Sequence, residues 1–151
     1  MPVRHRRYGG TPQTALATYI EQNSRRWVEA WLNAVKADDG TPRYHDIEDT
    51  SELIRDTEAL YNYLAMWLRT AKWDPRVDPH CERIGRTRRA AGFPLSEVVR
   101  AILLAKRHLW DGIAADRQLS IALELDASKA TGWFYDRAIY HTIVGYEEDA
   151  G

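Results

Sequence analysis

Apolar residues recur at three- and four-residue steps along most of the chain, a spacing that puts them on one face of a helix. The first such run predicts a helix over residues 12–37, with Thr11 as its N-cap and Pro12 in its first turn. Gly40 and Pro42 follow closely, and neither residue type continues a helix well. The chain therefore begins its ordered part with a long amphipathic helix.

Two further helices are predicted in the middle of the chain. One begins near Asp49, which has the spacing of a capping box to Glu52, and ends where the prolines of KWDPRVDP interrupt the pattern. The other is shorter and ends at Gly92, because glycine most easily adopts the left-handed conformation common just after a helix. Phe93 and Pro94 then turn the chain into a fourth helix.

The fourth and fifth helices complete the predicted fold. A broad apolar face marks the fourth, and a fifth helical region is expected from about Gln118 to Tyr146, with a break near Asp126. No stretch alternates with the period of a strand, and no internal repeat is found. The sequence therefore predicts an all-α fold with one helix-on-helix core.

Length and composition describe an ordinary globular chain and exclude several classes of protein. The 151 residues suit one domain, expected over residues 11–151 after a flexible basic arm at residues 1–10. A net charge of −1 gives no overall field for nucleic acid or anionic lipid, and no apolar run has the length of a membrane span. Cys81 is the only cysteine, so an intrachain disulfide is impossible. With no signal-peptide pattern at the start, a cytoplasmic protein is expected.

Motifs of catalysis are missing from the sequence. It has no glycine-rich phosphate loop, no HExxH or GxSxG motif, and no cysteines and histidines at zinc spacing. The chain is therefore predicted not to be an enzyme and to need no cofactor. One alternative stays open, a haem or metal site that uses His80, His108 or His141, although a single imidazole is more often a hydrogen-bonded boundary residue.

An arginine occupies the apolar row of the third predicted helix. Cys81, Ile84, Arg88 and Ala91 fall on one face there. The surrounding stretch, RIGRTRRAAGFPLSEVVRA, resembles the F-to-G helix region of globin-coupled sensors, in which the proximal haem ligand would fall at Arg88. Arginine stays protonated and offers no lone pair to iron. Over residues 13–147 the chain thus resembles the non-haem globin sensor domains of RsbR-type stressosome proteins and of related sporulation sensors.

This resemblance implies both a fold and a function. The expected fold is a globin-like helical domain that dimerises, and we place the dimer contact on the first and last long helices. The expected function is non-catalytic signalling in a stress response, exerted on a regulatory partner such as a kinase or another stressosome component. Some stand-alone members of the family are held to bind fatty acids in place of haem, so a fatty-acid-like ligand is a further expectation.

A candidate ligand site follows from Arg88. A charge on an apolar row must be paired or reach water, and a guanidinium fits a carboxylate well. One hypothesis is that Arg88 holds the head group of an anionic or fatty ligand inside the vacated haem-like cavity. The other site residues are then predicted to be Ile84, Leu103, Trp110, Phe134 and His141. The alternative is that Arg88 pairs with an internal Asp or Glu, or extends its head to solvent.

Overall fold

The described part of the chain is entirely helical. The computed structural model describes residues 13–115 and 121–148, without the side chains of residues 121–123. It contains five α-helices and one short 3-10 helix: α1 (Thr14–Ala37), η1 (Pro42–Tyr44), α2 (Ser51–Thr70), α3 (Val77–Ala90), α4 (Leu95–Ala115) and α5 (Ile121–Glu147). No strand occurs in these ranges, and the predicted all-α fold class is confirmed. The predicted arm over residues 1–10 and the Thr11–Pro12 cap lie outside the described residues.

The start of α2 differs from the prediction. The helix begins at Ser51, and the Asp49 carboxylate accepts hydrogen bonds from the backbone N–H of Ser51 at 3.1 Å and from its hydroxyl at 2.6 Å. Glu52 does not close a capping box with Asp49, because its carboxylate accepts a hydrogen bond from Arg88 of α3. A tertiary ion pair has therefore taken the side chain that the local pattern assigned to a cap.

The predictions for the end of the third helix and for the fifth helix have different outcomes. α3 does end before Gly92, whose φ is +87°, and the N–H of Phe93 donates to the carbonyl of Arg88 at 3.0 Å. By contrast, α5 continues through Asp126 without a break. Asp126 is exposed there and neither glycine nor proline adjoins it, so only a weak intrinsic preference opposed the helix. Gln118, the predicted start, lies outside the described residues.

Two helix pairs dominate the packing: α1 lies along α2, and α3 lies along α5. At the α3–α5 crossing, a Cβ atom built on Gly85 would overlap the carbonyl oxygen of Thr142, and one on Gly145 would overlap that of Glu82. The two backbones are therefore in direct contact, which only glycine at both positions permits. This contact fixes α3 on α5 and leaves its opposite side facing α2.

Buried aromatic residues join α4 to the first pair of helices. The Trp31 indole of α1 donates to the carbonyl of Ala101 at 2.8 Å, and the Tyr61 hydroxyl of α2 donates to that of Ala105 at 2.7 Å. Both side chains are almost fully buried, so each apolar ring fills the core while its polar tip is satisfied. The sequence has six Trp and eight Tyr residues, and Trp31 and Tyr61 show how such side chains serve the core.

Candidate functional site at the α2–α3 interface

Arg88 is buried and paired inside the protein. The residue is only 5% exposed. Its Nη2 lies 3.1 Å from Oδ2 of Asp56, and its Nη1 lies 3.1 Å from Oε1 of Glu52. The Asp56 side chain is 2% exposed, whereas that of Glu52 is 48% exposed. The main partner of Arg88 is therefore a buried carboxylate on α2, as in the second of the two sequence hypotheses.

Asp56 joins a second arginine to the same network. Oδ1 of Asp56 accepts a hydrogen bond from Nη2 of Arg83 at 2.6 Å. His80 also approaches, with Nε2 3.3 Å from the backbone oxygen of Asp56. Burial lowers the pKa of His80, and the hydrogen bond to Asp56 opposes that shift only in part. Two arginines and two carboxylates thus balance one another between α2 and α3, which removes most of the cost of burying either charge alone.

The cavity beside this network is small. Its volume is about 20 Å³, and its walls include Arg88, Asp56, Ile84 and Tyr44. That space admits about one water molecule. Burial raises the pKa of the Tyr44 phenol to about 12, so the hydroxyl in this wall is neutral. A fatty chain would enter only if α2 and α3 moved apart, and the ligand-holding role of Arg88 stays a prediction.

The other predicted site residues do not meet at this cavity, and only Ile84 shares it with Arg88. Leu103 is 43% exposed and lines a separate groove with Trp110, because both lie on the side of α4 that faces α5 near the surface. Phe134 is fully buried against Trp73 and Tyr135. The expectation that one cavity gathers all six residues is corrected by this arrangement. Because the apolar face of α4 is broad, one part of it lines the cavity beside Arg88 and another part lines the separate groove.

His141 belongs to a second group of charges, between α3 and α5. Its Nδ1 lies 2.7 Å from Oε2 of Glu82, and its Nε2 lies 3.5 Å from Oδ2 of Asp78. Arg137 donates to the same Asp78 oxygen at 2.8 Å while its guanidinium lies over the ring of Trp73. Burial alone would raise the pKa of Asp78, but the hydrogen bond and charge of Arg137 lower it. His141 is therefore a hydrogen-bonded boundary residue.

The histidines do not assemble a metal centre in the described ranges. Residues 13–115 and 121–148 contain no group of three or more His, Cys, Asp or Glu side chains placed to hold a metal ion. His80 lies at the α2–α3 interface, His141 lies between α3 and α5, and His108 is half-buried on α4. Nor is any described helix both long and apolar enough to cross a membrane.

Sequence reasoning missed Asp56, although its position carried a signal. Asp56 lies three residues after Leu53 and four before Leu60, so it falls in the buried row of α2. An acid in the apolar row of one helix and a base in that of another are natural partners. A search for charged residues in the apolar row of each helix, which identified Arg88, would therefore also have identified Asp56.

Within the described residues, the arrangement is a helical domain in which the charge of the buried Arg88 is neutralised by Asp56 from inside the protein. The family model described as the RsbT co-antagonist protein rsbRD N-terminal domain matches residues 21–150. The chain belongs to this family, a stressosome-type family of sensor and signalling domains, as the resemblance predicted. Comparison with curated proteins and comparison with solved structures each gave no match.

Proposed function

We propose that this domain is a haem-free, non-catalytic signalling domain that regulates a protein partner. The supporting observation is the buried Arg88–Asp56 pair, since the resemblance to globin-coupled sensors places the proximal haem ligand at Arg88. A guanidinium already held by a carboxylate neither ligates iron nor supplies a free charge. The family is described as an RsbT co-antagonist protein. The partner that we propose is therefore an RsbT-type kinase or another stressosome component.

The packing supports a mechanism based on helix movement. α3 is fixed to α5 by backbone contact at Gly85 and Gly145, whereas its contact with α2 depends on the polar network and encloses the small cavity. In the proposed mechanism, α3 and α5 move together relative to α2. The Arg88–Asp56 pair sets the free-energy difference between two arrangements, and a partner that binds one of them better shifts the population.

The partner hypothesis is tested by binding measurements with a matched pair of variants on α3. Arg88→Met removes the buried charge, and Arg86→Met removes an exposed one that pairs with Glu148 at 3.1 Å. Calorimetric titration with a purified RsbT-type kinase should give saturable binding that Arg88→Met alters at least about fivefold, the lower end of typical coupling. Arg86→Met should leave it nearly unchanged. Absence of kinase binding by the wild-type chain contradicts the proposed partner.

Two controls keep folding and haem binding separate from partner binding. Near-ultraviolet circular dichroism must show the same aromatic signal in both variants as in the wild-type chain, since Arg88 lies in the core. Titration of the wild-type protein with hemin should give no saturable Soret shift. A stoichiometric shift would instead favour the alternative function, a haem protein that uses another ligand.

Homodimerisation is part of the proposed function, and we place it on α1 and α5. Two of the large apolar side chains most exposed in the described residues, Leu125 at 56% and Tyr140 at 62%, lie on α5. Sedimentation velocity should show a dimer for the wild-type chain and a shift toward monomer for Tyr140→Glu. Glu124→Ala is a suitable control, because it changes an exposed side chain of the same helix. A wild-type monomer at high concentration contradicts the dimer.

A further inference from the structure

We propose that a groove between α4 and α5 binds a compact amphipathic organic anion, meaning a carboxylate, sulfonate or phosphate ester on a ring-sized apolar body. The groove has a volume of about 330 Å³ and lies apart from the Arg88 cavity, with which it shares no lining residue. That volume is at the lower end of small-molecule sites and exceeds the cavity beside Arg88 more than tenfold.

Apolar surface on α4 forms one part of the groove. Leu103 is 43% exposed here, and the half-buried Trp110 packs against the core while its remaining surface lines the groove. A leucine and an indole two turns apart on the same side of the helix make a flat apolar wall, against which an aromatic or short aliphatic body buries its surface. This wall favours a ligand with an apolar part.

Cationic side chains surround that wall. Arg100, Lys106 and Arg107 line the groove, against the single carboxylate of Asp111. Arg100 is paired with Asp38 at 3.0 Å, but Lys106 and Arg107 make no ion pair within the described residues. Arg107 also acts on Asp38 through its charge, from beyond ion-pair distance. The excess of positive charge at the mouth of an apolar groove favours an anion.

A buried hydroxyl on α5 supplies an independent observation. Thr131 lines the groove and is 2% exposed, yet its Oγ1 has no hydrogen-bond partner in the described part of the chain. A helical threonine commonly donates to the carbonyl four residues earlier, as Thr142 does to Ala138 at 2.7 Å. An orphan hydroxyl in a groove wall costs free energy until a polar ligand atom satisfies it. Thr131 therefore places an unsatisfied buried hydroxyl beside the apolar surface of the groove.

The test uses two fluorescent probes that share a ring system and differ in charge. Anilinonaphthalene sulfonate carries an anionic group, and phenylnaphthylamine lacks it. The sulfonate should bind the folded wild-type protein at one saturable site. Replacing the two cations that make no ion pair, Lys106→Gln with Arg107→Gln, should raise its Kd about tenfold or more, while the affinity for the neutral probe changes little. Trp110→Ala should weaken binding of both probes, since it removes the apolar wall.

Matched controls identify the site and rule out loose folding. Lys72→Gln removes an exposed lysine that does not line the groove and should leave both affinities unchanged. Thr131→Val keeps the side-chain shape but removes the hydroxyl, and should weaken sulfonate binding in a protein with an unchanged near-ultraviolet spectrum. Lack of saturable sulfonate binding, or equal weakening by Lys72→Gln, overturns the assignment. None of these variants changes a residue of the Arg88 network. Binding of the probes at the groove is therefore tested independently of kinase binding.

Discussion

The glycine contact between α3 and α5 yields a quantitative prediction about stability. In Gly85→Ala the added methyl group would overlap backbone atoms of Thr142 and Tyr146, and in Gly145→Ala it would overlap the backbone of Glu82. Backbone cannot rotate away as a side chain can, so the helices must separate. Overpacking of this kind costs about 3 kcal/mol at the upper end of the usual range.

Alanine also favours a helix over glycine, by roughly 0.5–1 kcal/mol, so that each of these variants should lose about 2 kcal/mol in free energy of unfolding. For a chain of this length that loss lowers Tm by about 4–8 °C. Gly132→Ala is the matched control on α5, because a methyl group there meets nothing within 4 Å. It should gain roughly 0.5–1 kcal/mol instead.

Urea unfolding followed by circular dichroism measures all three variants on one scale. The double variant Gly85→Ala with Gly145→Ala should lose less than the sum of the two single losses, because the first methyl group already separates the helices. If all three single variants were stabilised alike, α3 and α5 would not be in backbone contact and the proposed joint movement of these helices would fail.

Two further predictions concern buried titratable groups. Burial raises the pKa of the Cys81 thiol to about 12. DTNB at about pH 8 should therefore label the folded protein far more slowly than the urea-unfolded protein. Rapid stoichiometric labelling of the folded chain would contradict the burial of Cys81. Burial also lowers the pKa of His80 below its ordinary 6.5, so the unfolded chain binds the proton first as pH falls. Stability should therefore decrease below about pH 6.5. His80→Gln should make that decrease shallower in urea titrations, and an unchanged pH dependence would show that His80 makes no such contribution.

The helices were predictable because their apolar residues repeat with one clear period. Val28, Leu64 and Val98 all face the core as their spacing requires. Helix starts were harder to predict, because the sequence pattern assigns Glu52 to a capping box whereas the structure uses it in a tertiary ion pair. Ala91 shows the same limit at a helix end: its spacing matches the buried row, but it is the exposed C-cap of α3.

The candidate site was predictable only in part, for a geometric reason. Periodicity identified Arg88 as an internal charge, because that property belongs to one helix. Which carboxylate pairs with it depends on how α2 and α3 dock, and the separation of Trp110 from Phe134 depends on how α4 and α5 cross. Distances between helices are set by packing of the whole core, so spacing within one helix does not determine them.

The pairing of Arg88 with Asp56 is the claim on which the proposed function depends, and a double-mutant cycle measures it directly. Asp56→Leu leaves both Arg88 and Arg83 without their buried partner and should cost about 3–5 kcal/mol, whereas Arg88→Met leaves Asp56 paired with Arg83 and should cost less. The double variant should then be more stable than the summed losses predict, by about 2 kcal/mol or more. Losses that add within about 0.5 kcal/mol would contradict the account, because they would show that the two side chains are not partners in solution.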